Sequence, residues 1–359
     1  MLTTYRALLQ ASKDLYHGGH WGNPALFVRM WLQGILNFRS VAKIYRNSPY
    51  GNISEILTDE PHFLGMLVWP LVDARWPPKR RLHELMLHFK QVAALGSLLR
   101  LQPRQIKSIL KLDAVCAGLD LCLESQPWFA REGQCTLSLF YAGERTYSVA
   151  FLLSEKNGKR IAYIGAVQGV KQTEDSDTYK MLTKAAHGLR PRDLGIALFL
   201  LLCQAMRVER VLAVADSNRQ HQHSYFDPSQ RAVLFTSYDA IWTENGASPQ
   251  ADGLFALTPG LRRKDLAEVP SKKRSMYRKR EVFLEECLAA LTKVVQSALH
   301  RHPDDACDIP CDIAGPATPL AIAQPPRPLP SVLARNWLDT AVRPVVLGPW
   351  LWSFPVVFM

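Results

Sequence analysis

The chain has 359 residues, enough to bury one large core or two modest ones. Hydrophobic residues make up 48% and charged residues 21%, a globular composition that excludes general disorder. The 43 basic and 32 acidic side chains leave a formal charge of +11, which suits nucleic acid, anionic lipid headgroups or phosphorylated cofactors, or a plain solvated basic face, and does not bear on fold.

The chain begins without an uninterrupted apolar stretch and carries Lys13 and Asp14 where one would lie, so no secretion signal is expected. The seven cysteines (Cys116, Cys122, Cys135, Cys203, Cys287, Cys307 and Cys311) are odd in number and sit mostly in apolar runs. They read as reduced, buried thiols of a cytoplasmic protein.

Residues 1–128 read as a mainly helical region. Phe27, Met30, Trp31 and Ile35 form one apolar stripe, and Leu82, Leu85, Met86, Phe89, Val92 and Ala93 form another, both at helical spacing. Pro77 and Pro78 start the second helix, and Pro103 breaks the chain further on. This region is expected to cover one side of a later sheet.

After Glu132 the pattern turns to strands, at residues 135–142, 145–154 and 160–170. Asn157-Gly158 supplies a tight turn between the last two, which makes the group an antiparallel meander. A helical stretch follows from Asp177, breaks near His187-Gly188, and restarts at Pro191 or Arg192. Residues 208–214 form a buried strand, and strand–helix–strand makes a β-α-β unit. Residues 231–236 and 253–258 are late strands, and a basic helix spans 271–297. From Arg301 the chain is rich in proline and reads as a disordered tail. Its last apolar run, 345–359, contains Pro349 and Pro355 and falls short of the ~18 residues that span a bilayer. The division expected is 1–128 helical, 129–298 a mixed α/β domain ending in the basic helix, and 299–359 tail.

The motif with chemical content is Arg190-Pro-Arg-Asp-Leu-Gly-Ile-Ala197 at the opening of a helix after a strand. The first N–H groups of a helix lack internal partners and carry partial positive charge. Small residues at Gly195 and Ala197 would let a pyrophosphate approach, with Arg190 and Arg192 adding charge-assisted bonds. The same small residues equally permit close helix–sheet packing, and both readings stand.

In this order of elements the chain resembles the GNAT acyltransferase superfamily. The resemblance implies a GNAT-like mixed sheet in which the strand over 161–170 splays from its neighbour. Gly165, Ala166, Val167 and Gln168 would then line the pantetheine arm of acetyl-CoA or another acyl-CoA, and Arg190, Arg192, Gly195 and Ala197 would hold its pyrophosphate. Asn218 and Tyr225 have the superfamily's seven-residue spacing, which implies Tyr225 as general acid to the departing thiolate. An amine acceptor must also lose a proton, for which Glu244, Asp239, Asp216 and His187 are candidates, with Glu244 preferred.

A second resemblance rests on four ordered runs: Tyr163-Ile-Gly-Ala-Val-Gln-Gly169, Leu182-Thr-Lys-Ala-Ala-His-Gly-Leu-Arg-Pro191, Ser237-Tyr-Asp-Ala-Ile-Trp-Thr-Glu-Asn-Gly246 and Lys273-Arg-Ser-Met-Tyr-Arg-Lys-Arg280. They are similar to the bacterial VirK/YbjX family over roughly residues 35–295. That resemblance implies an envelope-related role linked to virulence and to tolerance of cationic antimicrobial peptides, and names no reaction.

Tyr238 and Trp242, four apart, line a pocket or pack in the core. His300, His302, Cys307 and Cys311 have irregular spacing for zinc, as have His221 and His223, and no metal is expected. Lys272, Lys273, Arg274, Arg278, Lys279 and Arg280 surround Tyr277 and suit solvent, anionic lipid at the inner membrane or nucleic acid, the last without any accompanying motif. Three functions are carried forward. They are an acyl-CoA-dependent transferase acting on an envelope-related amine or hydroxyl, a catalytically inactive binding or regulatory protein at the inner membrane, and a nucleic-acid binder.

Overall fold

The computed structural model describes residues 2–16, 24–46, 61–102, 104–169, 176–226 and 236–300. All but the last residue of the expected strand over 231–236, and the proline-rich tail from 301 with His302, Cys307 and Cys311, lie outside the described residues.

Three helices open the chain, α1 (Leu2–Tyr16), α2 (Pro24–Leu36) and α3 (Phe38–Arg46), followed by a 3₁₀ segment (Pro61–Leu67) and helix α4 (Pro78–Ala94). Pro78 stands in the first turn of α4, where its missing N–H is not needed. Strands β1 (Ile106–Lys111) and β2 (Leu119–Glu124) come next. They lie inside the region expected to be mainly helical. In β2 the leucines Leu119, Leu121 and Leu123 recur at a period of two and are all buried, and Gly118 takes the left-handed φ of +77° in the turn between the strands.

The meander follows as β3 (Cys135–Tyr141), β4 (Glu144–Lys156) and β5 (Lys159–Gly169). Helices α5 (Ser176–Ala185) and α6 (Pro191–Ala205) lead to β6 (Arg210–Val214), and then come α7 (Tyr238–Glu244), β7 (Ser248–Pro249), β8 (Leu254–Leu257) and α8 (Ser271–His300). The strands make one eight-stranded sheet in the order β1-β2-β3-β4-β5-β6-β8-β7. Every neighbouring pair is antiparallel except β5 and β6, which run parallel as a β-α-β unit requires. The fold is α/β with a mostly antiparallel open sheet.

Helices cover both faces. On one face of β4, Tyr147 meets Gly195 and Phe151 packs 5.0 Å from the Phe199 ring, both on α6. On the other, Ser154 donates to Glu84 of α4 at 2.5 Å. Helix α6 is buried nearly all round because α8 lies over it with Phe283, Leu284, Cys287, Leu291, Val295 and Ala298 inward. The basic run of α8 therefore belongs to a helix whose other side is core.

Two features of β5 place the site. Its register against β4 slips between Ala166 and Ile164, so Gly165 is the extra residue of a bulge. Its pairing with β6 covers only Ile161↔Arg210 to Ile164↔Ala213, so the parallel strands part at the bulge. Gly165 is also a close approach: a Cβ there would stand 1.8 Å from the carbonyl oxygen of Glu132. That neighbour is backbone and cannot swing away.

Gly165→Ala should lower stability by about 1–3 kcal/mol or more, read as a lower urea midpoint, because the bulge or the 131–134 segment must move. His88 on α4 is fully enclosed, its Nδ1 accepts from Leu153 N–H at 3.2 Å, and burial pushes its pKa down to about 3. The unfolded imidazole takes a proton near pH 6.5, so stability from this group is lost as pH falls from about 6.5 to about 3, at up to ~1.4 kcal/mol per pH unit. Thermal midpoints of His88→Gln should fall less steeply over that range than those of the parent.

Candidate functional site

Where β5 and β6 separate, backbone groups face a gap and must find partners. Helix α7 supplies them. The Tyr238 hydroxyl accepts from Val167 N–H at 3.1 Å and donates to Val167 O at 3.1 Å, while Trp242 Nε1 donates to Val214 O at 2.8 Å. Each ring thus binds one of the parted strands. Trp242 is fully buried, Tyr238 nearly so, and their centroids lie 5.7 Å apart, edge to face.

Local capping sets the pose of α7. Ser237 Oγ accepts from Ala240 N–H and donates to the Asp216 carboxylate at 2.7 Å, and Tyr238 N–H donates to Asp216 at 2.8 Å. In return Asp216 N–H donates to Asp239 at 2.8 Å. Burial alone would raise the Asp216 pKa, but the bonds from Tyr238 and Ser237 outweigh it and hold the carboxyl below its usual range. The guanidinium of Arg219 lies 3.8 Å over the Tyr238 ring.

Beside the gap is a polar cluster. Glu132, whose carbonyl rests on the Gly165 bulge, accepts from Gln220 Nε2 at 2.6 Å. Burial pushes its carboxyl up to about 7, against the opposing pull of Arg219, Gln220 and Arg131. Among the described residues, Arg219 Nε, Gln220 Oε1 and His221 Nε2 are buried without a hydrogen-bond partner. Burial, aided by Arg219, pushes His221 down to about 4, so its ring is neutral at pH 7.

A groove of about 880 Å³ opens at the start of α6. Lys180 and Lys184 of α5, Arg190 and Arg192 at the α6 entry, and Lys272 and Lys279 of α8 line it. Its floor is fixed by Arg280, whose guanidinium donates twice to His187 O, at 2.9 and 3.2 Å. Next to it Gly188 adopts φ +81° against Met276 and Arg280. Three carboxylates adjoin the groove, and the first, Asp177, accepts from Lys180 at 3.0 Å. Asp193 accepts from Arg190 at 2.7 Å and Arg192 at 3.1 Å, and Glu244 from Arg190 at 2.9 Å and from Arg192.

The chain matches, over residues 19–293, the family described as "Protein of unknown function (DUF535)". The chain belongs to this family. Among its relatives, the uncharacterized protein YbjX of Escherichia coli (strain K12) is 27% identical over 283 residues, covering 75% of this chain and 83% of YbjX. An uncharacterized protein of Haemophilus influenzae is 26% identical over 307 residues, covering 83% of this chain and 97% of the relative. The expected VirK/YbjX membership thus stands on most of the chain's length.

In this DUF535 member the expected cofactor-binding residues divide into three groups. Gly165, Ala166 and Val167 are buried along the parted end of β5 and Gln168 is exposed, but the outward groups of Val167 are held by Tyr238. Arg190 and Arg192 do converge at the α6 entry, and both are bridged to Glu244. Gly195 lies where a Cβ would stand 2.9 Å from the Tyr147 ring, and half-buried Ala197 packs on the core, so both serve helix–sheet packing.

Tyr225 and Glu244 share no partner. Residues 216–218 and 220–222 form two separate 3₁₀ turns between β6 and Tyr225. Tyr225 stands edge-on to Trp69 at 6.3 Å, beneath the Arg131 guanidinium at 5.3 Å. Asn218 is a strut, donating to Gly253 O at 2.7 Å and to Asp73 at 3.2 Å. Asp216 accepts from the first turn of α7, Asp239 accepts from Asp216 N–H, and His187 offers Arg280 its carbonyl. Lys180, Lys184, Glu132, Arg219 and Gln220 were not singled out from the sequence. Glu132 lies in a loop with no motif around it, and only the contact with Gly165 gives it meaning.

Among the described residues, no helix is long and apolar enough to cross a membrane, and no group of three His, Cys, Asp or Glu is arranged to hold a metal.

Tyr238→Phe should cost about 1–3 kcal/mol, because both Val167 groups lose their partner in a buried place. Amide exchange at Val167 should rise well above that of Ile164, which remains paired to β6.

Proposed function

We propose that this chain is a binding protein for a polyphosphorylated anion, built on an acetyltransferase-like sheet whose donor gap is closed by its own helix. The groove carries this reading. Six cations converge there, and the adjoining carboxylates engage only three of them: Asp177 pairs with Lys180, and Asp193 and Glu244 pair with the two arginines, so among the described residues Lys184, Lys272 and Lys279 have no acidic partner. Like charges crowded in one concavity repel one another unless a counter-charge enters. A volume of about 880 Å³ suits a small ligand, and lysines on two helices with arginines at the entry of a third suit more than one phosphate.

The sheet order, the single parallel pair that parts at a bulge, and a buried helix between those strands support kinship with the GNAT fold. In that superfamily the gap receives pantetheine. A pantetheine arm would compete here with the Tyr238 hydroxyl for Val167 N–H and O, and the CoA pyrophosphate would compete with Glu244 for Arg190 and Arg192. This double occupancy by α7 favours binding over acyl transfer.

Transfer from acetyl-CoA or another acyl-CoA to an envelope-related amine or hydroxyl is the second reading, and one observation favours it. Glu132, pushed to about 7, adjoins the bulge where a thioester would lie, so it is better poised as proton acceptor than Glu244, which is bound to two arginines. That reading requires α7 to leave the gap.

Calorimetry with inorganic pyrophosphate and with CoA separates the two. Binding of both, weakened about tenfold or more in Lys272→Glu/Lys279→Glu and indifferent to Trp242→Ala, is expected. CoA binding that tightens in Trp242→Ala, with thiol released from acetyl-CoA in the presence of an amine, would establish the second reading instead. If neither ligand binds the parent chain, both readings are wrong.

A further inference from the structure

The opening helices leave an apolar face uncovered. Val28, Leu32, Ile35 and Leu36 recur along α2 at three- and four-residue spacing and are 52%, 56%, 47% and 77% exposed. The inner side of the same helix is already filled. Met30 is fully buried, and Gly34 lies so close to α1 that a Cβ would stand 2.2 Å from the Leu8 side chain. The outer stripe is therefore additional to what the core needs, and α2 is apolar on both sides.

The charge around this stripe has one sign. Residues 24–46 contain four basic side chains and no Asp or Glu. Arg29, Arg39 and Lys43 are exposed, as is Arg6 on α1, and among the described residues none of the four makes an ion pair. At the edge of the stripe Tyr5 is 38% exposed and stacks on Phe38 at 4.7 Å and on Trp31 at 6.2 Å. Exposed aliphatic side chains, a rim of cations without acids, and interfacial aromatic rings together form the amphipathic pattern of a helix lying in a bilayer surface.

We propose that α2 and α3 dock in the plane of an anionic bilayer. Val28, Leu32, Ile35 and Leu36 enter the headgroup–acyl boundary, and Arg29, Arg39 and Lys43 meet lipid phosphates. A second copy of the chain fits this face poorly, because it would bring an all-basic rim against an all-basic rim. A bilayer offers apolar depth and negative charge at once, so burial of the aliphatic side chains and attraction of the basic ones act together. This surface is separate from the groove between α5, α6 and α8, and the inference does not rest on the groove's ligand.

Sedimentation of the full-length chain with vesicles tests it, using phosphatidylcholine alone and phosphatidylcholine mixed with phosphatidylglycerol. The expected result is pelleting with the mixed vesicles and little with the neutral ones. It should weaken about tenfold or more in Leu32→Gln/Leu36→Gln and in Arg39→Gln/Lys43→Gln, and persist in Lys272→Glu/Lys279→Glu. The substituted side chains are exposed, so circular dichroism and thermal midpoints should match the parent and separate docking from misfolding. The proposal is overturned if the parent does not pellet, or if the α2 variant pellets as well as the parent. It is equally overturned if only the groove variant loses binding, which would place lipid contact at α8. A dimer in light scattering that dissociates in Leu32→Gln/Leu36→Gln would assign the face to a second copy.

Discussion

Backbone N–H and C=O groups buried without partners are too costly to leave, and two parallel strands that part inside a protein create a row of them. In this sheet the parting is forced at Gly165, where the bulge shifts β5 and the Glu132 carbonyl presses on the strand. One hydroxyl, that of Tyr238, answers for both Val167 groups, and the Trp242 indole answers for Val214. The placement of α7, and through it the site, follows from that requirement.

Helix α7 also carries Glu244, so the helix that closes the gap bridges Arg190 and Arg192 at the groove. The two regions are mechanically one. Exposed ion pairs of this kind contribute little individually, whereas the buried bonds of Tyr238 and Trp242 are costly to break. Closure is therefore held mainly from the gap side, and the arginines are the part of the arrangement that a competing anion can most readily engage.

The segment before α4 acts as a clamp on the same end of the sheet. Arg81, almost wholly buried, donates to the carbonyls of Met66, Trp69 and Trp76, and burial pushes its pKa down to about 10, still far above neutrality. Val72 N–H then bonds Arg131 O, and Asp73 receives the amide of Asn218. The helical opening of the chain does more than cover a sheet face. It fixes the loop bearing Glu132 and the turn bearing Arg219 to His221.

The amino-acid sequence determined the meander, the β-α-β unit and the long basic helix, because periodicity, the Asn157-Gly158 turn and Pro191 act over a few residues. It also determined family membership, through ordered runs of residues. It misread β1 and β2, whose two-residue alternation was short and lay beside strong helical stripes. The pairing of Tyr238 with Val167, the approach of Glu132 to Gly165, and the convergence of Lys180 and Lys184 with Lys272 and Lys279 were decided only by tertiary structure. They join residues some thirty to a hundred positions apart, and no local spacing encodes which backbone group will lack a partner or which cations will share a groove.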